Sequence, residues 1–224
     1  MIGTLKESSL HASLKQIYKE PGDMVEKPIG KYVIDIVRQN LLIEIQTINF
    51  SAIRRKLENL LKSNRVLLIH PVIKDKWIIY LEPSGGSLSQ KRKSPQHGSF
   101  FNIFKELIYI SDLLSNWNLI IEVILIQAEE IRIKDNKGSW RRSGSSIYDR
   151  KLLNILDRKI ISNPEQLLRL IPLDLEKPFT NRTLSESLNI SIRLAQMMTY
   201  TLRKMNLLIV VGRIGNSYLF SAKF

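Results

Sequence analysis

Two carboxylates and an amide, Asp35, Glu44 and Gln46, stand inside "YVIDIVRQNLLIEIQT", a stretch otherwise rich in Val, Ile and Leu. Such residues favour strands, and Gln39 and Asn40 interrupt them as a turn does, so the stretch reads as a β-hairpin. With that turn at the tip, residue 38 pairs with 41 and 37 with 42, which sets Asp35 across from Glu44. Gln46 follows on the same face, while Ile34, Ile36, Ile43 and Ile45 form an apolar stripe on the other. Like charges opposed across strands are destabilising and raise a pKa unless something positive lies between them. A divalent cation is one resolution: Mg²⁺ takes one or two carboxylates together with water and substrate phosphate, and can activate water against a phosphodiester. An ordinary solvated polar strand face is the other.

The hairpin needs elements around it. Leu10, Leu14 and Ile17 recur at helical spacing before "EPGD" stops them, a first strand is expected near Met24–Pro28, and the hairpin strands span Tyr32–Val37 and Leu41–Thr47. "NFSAIRRKLENLLKSN" is an amphipathic helix capped by Ser51, with Arg54, Arg55 and Lys56 largely off its apolar face. "RVLLIHPV" and "WIIYLEP" read as two buried strands. Further on, "FFNIFKELIYISDLL" reads as helix, "LIIEVILIQAEEIRI" as strand, and "IYDRKLLNILDRKI" and "NPEQLLRLI" as helices.

Asp35, eight residues, Glu44, one residue, Gln46, with a helix before and the "FSAIRRKLENLL" helix and "RVLLIHPV" strand after, resembles the core of the PD-(D/E)xK nucleases. That superfamily includes restriction endonucleases and Holliday-junction resolvases. The likeness covers roughly residues 5–80. It implies an α/β, restriction-endonuclease-like αβββαβ core with a mixed sheet, and a DNA endonuclease using Mg²⁺ or Mn²⁺ held by Asp35 and Glu44. Gln46 replaces the usual lysine; an amide holds an attacking water or a phosphate oxygen but brings no charge, which Lys56 is placed to lend. Ile34 before Asp35 is a tolerated variation. The superfamily often adds a ligand from its first helix, which implies Glu7, or else Glu26 on the first strand; a charge at Glu7 also suits a helix N-terminus. His70 is expected to pack at a strand end without chemistry.

From Phe179 the pattern changes. Thr183 and Glu186 form a capping box, Ser191 caps "IRLAQMMTYTLRKMN", and "LLIVVGRIGNSYLFS" gives two strands around a Gly/Asn turn. This is the order of a winged helix-turn-helix, so two domains are expected, 1–172 and 173–224. Arg193, Gln196, Thr199 and Arg203 line its exposed helix face, with Arg213 at the wing tip. Two basic loops, "QKRKS" with Lys91, Arg92 and Lys93, and "SWRRSG" with Trp140, Arg141 and Arg142, suit phosphate contacts and base stacking.

The chain of 224 residues carries a net charge of +13, a field that attracts polyanions, and duplex DNA is the expected partner. It has no cysteine, which excludes disulfides, thiolate zinc sites and a cysteine nucleophile, and its three histidines are widely scattered. No apolar run approaches membrane-spanning length, so a cytoplasmic protein is expected. Cutting both strands commonly needs a homodimer. The rival reading keeps the fold and the DNA binding but drops catalysis, as in a regulator or an inactive relative, and the missing lysine at position 46 favours it.

Overall fold

Ser8 caps the first helix by accepting a hydrogen bond from the His11 N–H, and α1 (Ser9–Tyr18) buries Leu10 and Leu14 beneath it. A computed structural model of the protein describes residues 8–81 and 90–223, without the Arg141 side chain. The first elements follow in the expected order: β1 (Met24–Ile29), β2 (Tyr32–Arg38), β3 (Leu41–Ile45), α2 (Phe50–Leu60) and β4 (Arg65–Leu81). Strands β1, β2 and β3 are antiparallel neighbours and β3 runs parallel to β4, so the chain is α/β with a mixed sheet.

The two strands expected in β4 are one, continuous through a register shift between Ile73 and Asp75. Strand β6 (Leu119–Lys134) lies parallel to it from Val66 to Leu81, and β7 (Ser145–Ile161) completes the order β1-β2-β3-β4-β6-β7. Because β3 pairs with β4 only as far as Ile69, the rest of β4, β6 and β7 project beyond it as a three-stranded extension. Strand β5 (Arg92–Lys93) pairs with β4 there, so the first basic loop is partly sheet.

Strand β7 corrects the helix expected over "IYDRKLLNILDRKI". Tyr148, Leu153 and Leu156 are skipped in its pairing with β6 and point outward, exposed. Each such bulge inserts one residue, so Leu152 and Ile155, which pair with Ala128 and Ile126 two apart on β6, stand three apart on β7. Bulges thus turn a strand's period of two into a spacing that imitates a helix. The helix expected from Phe100 is also smaller: a 3₁₀ turn at Phe100–Ile103 and α3 (Phe104–Leu107).

Both faces of the sheet are covered. Helix α1 packs Leu10 and Leu14 on Ile36, Ile43, Ile45, Ile69, Ile124 and Ile126. On the other face, Ile34, Val37, Leu42 and Leu68 meet Leu57 of α2 and Phe104 and Leu107 of α3. The single stripe expected from Ile34 to Ile45 is therefore divided. Glu26 adopts φ 51°, and it and Asp35 drop out of the β1–β2 ladder although the pairs on either side continue. This crease turns Ile34 and Ile36, two residues apart, to opposite cores.

The C-terminal part contains α4 (Glu165–Leu168), α5 (Asn181–Ser187), α6 (Ile192–Lys204) and the hairpin β8 (Leu208–Ile214) and β9 (Ser217–Ala222). Helix α5 starts three residues earlier than expected, with Thr180 as its cap and Thr183 as the reciprocal partner. Ser191 caps α6 as expected. Phe179, Leu184, Met198, Leu202 and Phe220 belong to the same apolar cluster as Phe104 and Leu107, so the core runs unbroken past residue 172.

Candidate active site

The hairpin register is the expected one, with Arg38 opposite Leu41, Val37 opposite Leu42 and Ile36 opposite Ile43. It then stops at the two carboxylates, which do not form a ladder pair. The Asp35 Oδ2 accepts from the Ile45 N–H at 2.8 Å. The side chain has replaced the backbone pairing, and this holds both carboxylates at the end of β3, where the extension begins.

Their environments differ. Burial raises the Asp35 pKa, but hydrogen bonds from His11 and the Ile45 N–H, with the charges of His11 and Lys56, outweigh it and hold the group below its ordinary value. Glu44 is 5 % exposed, and burial together with the Asp35 charge lifts its pKa to about 7 against the opposing pull of Lys56. Lys56 reaches over from α2: its Nζ lies 2.6 Å from Glu44 Oε1 and donates to the Val33 carbonyl at 2.6 Å. The buried Oε1 thus meets the Lys56 ammonium as an ion pair.

Gln46 faces elsewhere. Its amide nitrogen donates to the Ile48 and Asn49 carbonyls, fixing the turn from β3 into α2. The positive charge expected in its place stands in space on Lys56, one helix later. Glu26 pairs with Lys15 of α1 at 2.6 Å. Glu7 lies outside the described residues. His70 is packed as expected: Nδ1 donates to the Gln46 carbonyl at 2.7 Å, the ring stands edge-on to Phe50, and burial lowers its pKa.

His11 was missed. Its Nε2 lies 3.3 Å from Asp35 Oδ2. The signal was a second face on α1, His11, Lys15 and Tyr18 at helical spacing beside the apolar stripe, all three meeting acidic groups: Asp35, Glu26 and Glu122. Among the described residues no three His, Asp or Glu side chains are gathered as a metal cage. A hard cation here would have two carboxylates, the number Mg²⁺ commonly takes with water and phosphate, and the buried Glu44 carboxylate, held by one cation against a raised pKa, fits that role.

The expected nucleic-acid residues fall into separate groups. Lys91 pairs with Glu129 at 2.6 Å and Lys93 with Asp75 at 3.3 Å, and both cover the Trp77 ring, while Arg92 lies on the other face beside Tyr80. Trp140 is 83 % exposed, and Arg142 donates to the Ser145 carbonyl at 3.2 Å. Arg193 and Gln196 line a groove with Tyr109 and Tyr200. Arg203 and Arg213 both lie over the Tyr218 ring. Thr199 corrects the expected exposed face: it is buried and donates to Asn181 Oδ1 at 2.7 Å, tying α6 to α5.

No solved structure matches the chain. A protein of Treponema pallidum (strain Nichols) described as "Uncharacterized protein" is 32 % identical over 167 residues, which cover 74 % of this chain. The match spans 66 % of that relative's length. The family model matches residues 8–162, from the cap of α1 to the end of β7, and the chain belongs to the family described as Domain of unknown function (DUF8091).

Proposed function

We propose that the protein is a divalent-metal-dependent endonuclease that hydrolyses DNA phosphodiesters. One observation carries this reading: Asp35, the buried Glu44 carboxylate and the Lys56 ammonium converge at the end of β3. Mg²⁺ or Mn²⁺ bound by Asp35 and Glu44 would neutralise phosphate charge and lower the pKa of a water nucleophile. Asp35 is kept ionised by His11 and the Ile45 N–H, and so is ready to bind a cation at neutral pH. Lys56 supplies the positive charge that position 46 lacks, next to where phosphate oxygens gain negative charge. The order of helix, three strands, helix and strand, with β3 parallel to β4, supports the same reading.

The C-terminal elements support a winged helix-turn-helix, in which α6 presents Arg193, Gln196 and Arg203 to a duplex and the β8–β9 wing presents Arg213. A second reading is a catalytically inactive nuclease-fold protein that binds DNA in a regulatory role. The turned-away Gln46 amide favours it.

Plasmid cleavage separates them. Wild-type protein with Mg²⁺ or Mn²⁺ is expected to nick or linearise supercoiled DNA, and Asp35→Ala and Lys56→Ala each to lower the rate by at least about a hundredfold, the scale of losing one charge-stabilising group. Absence of metal-dependent cleavage by a protein that still binds DNA would leave the regulatory reading in place.

A further inference from the structure

The two faces of the extension differ in how their charges are matched. On the α2 side, Lys91 meets Glu129, and Lys93 and His97 meet Asp75, so cations and carboxylates are locally paired. On the α1 side, the register aligns Arg92 of β5, Ile78 of β4, Glu130 of β6 and Arg150 of β7 in one row across the sheet. Tyr80 and Arg132 form the next row on that face, and Lys76 flanks the first on the other side.

Two hubs hold the cations of this face. Glu130 is approached by Arg132 at 2.5 Å, Arg150 at 3.2 Å and Lys76 at 3.5 Å. Arg132 and Arg92 stand beside Tyr80, which lies 5.5 Å under the Lys134 ammonium. Glu130 and Arg132 are buried, while Arg92 and Lys134 stand exposed and Lys76 and Arg150 are partly so. Among the described side chains at these hubs, five cations face one carboxylate. Clustered like charges are destabilising on their own and attract a polyanion, and alternate strand residues recur at a repeat of about 6.8 Å, of the order of the spacing between phosphates along a nucleic-acid strand.

We infer that this face is a track for the phosphodiester backbone of duplex nucleic acid. The inference rests on the nuclease reading for its purpose and on the charge pattern for its location. Arg132 is the buried support that orients its neighbours; Lys76, Arg92, Lys134 and Arg150 make the contacts.

Gel shifts with a random-sequence duplex in EDTA, between about 50 and 200 mM salt, test it, since each phosphate contact contributes about 0.9 to the log–log salt slope. The triple variant Lys76→Gln, Arg92→Gln and Arg150→Gln is expected to lower the slope by about 2 to 3. Lys31→Gln, Lys62→Gln and Lys105→Gln, with the same charge change at exposed lysines elsewhere, are expected to leave it within about 1 of wild type. If circular dichroism shows the triple variant unfolded, the exposed pair Arg92→Gln and Lys134→Gln is read instead, with an expected drop of about 2. Equal losses in both sets, a wild-type slope in the track variant, or no binding of duplex by wild type overturns the track. Plasmid cleavage scored in parallel keeps the two ideas apart. Track-dependent binding without cutting sinks only the nuclease reading, and cutting with an unchanged slope sinks only the track.

Discussion

Glu44 and Glu130 are both buried glutamates on one sheet, 5 % and 1 % exposed, yet they have opposite electrostatic surroundings. Glu44 meets one cation, Lys56, and shares its space with Asp35, so burial prevails and its pKa rises to about 7. Burial also raises the Glu130 pKa, but the Arg132 hydrogen bonds and the charges of Lys76, Arg150 and Arg132 outweigh it and hold the group below its ordinary value. Desolvation is common to both, so the number of cations decides the sign. A carboxylate short of positive charge is suited to receive a cation. One with cations in excess belongs to a surface suited to an anion.

Removing the charge from each tests the contrast most severely. Glu130→Gln leaves its cations without a counter-charge and is expected to lose about 3 kcal/mol or more of stability at pH 7 in urea melts. Because its pKa is lowered, its contribution is present above the ordinary value of 4.5 and is lost as pH falls through the folded-state pKa, so the variant and wild type should converge in acid. A loss below about 1 kcal/mol at pH 7 would show that the cluster is not held by this carboxylate.

Glu44 runs the other way. With its pKa raised, the protonated form is favoured by folding; that stability is complete below the ordinary value of 4.5 and lost as pH rises through about 7. In metal-free buffer, wild type should therefore lose about 3 kcal/mol relative to Glu44→Gln between those limits. A pH-independent difference between the two proteins would refute it.

Mg²⁺ sharpens the same point. At about a hundredfold above its Kd it should stabilise wild type by about 2.7 kcal/mol and leave Glu44→Gln nearly unchanged in thermal melts. An equal shift in both proteins would place the cation elsewhere. The smallest effect is expected on the matched face of the extension. Lys91→Ala removes a half-exposed ion pair with Glu129 and should change stability by less than about 1 kcal/mol.

Much of the first half was legible. Helix α1, the strands around Asp35 and Glu44, and helix α2 follow from apolar periodicity and turn residues, which are local signals. What failed did so for identifiable reasons. The bulges of β7 gave Leu152 and Ile155 a helical spacing, and only the long apolar partner β6 makes that segment a strand. The crease at Glu26 and Asp35 divided an apolar stripe that alternation alone kept whole. At the site, the hairpin register brings Asp35 and Glu44 close together, but it gives no sign that the Asp35 carboxylate accepts from the Ile45 N–H in place of the expected ladder pair. His11 comes from a separate helix, and no hairpin rule reaches it.

By itself the sequence determined the hairpin that carries the two carboxylates, because register depends on a turn and on a period of two within sixteen residues. It also determined the excess positive charge. Tertiary structure decided that Lys56 rather than Gln46 stands beside Glu44, and that Arg92, Arg132 and Arg150 gather on one face while Lys91 and Lys93 are neutralised on the other. The physical reason is common to both outcomes: the sign and worth of a charge depend on neighbours a few ångströms away in space, and those neighbours come from strands and helices far apart along the chain.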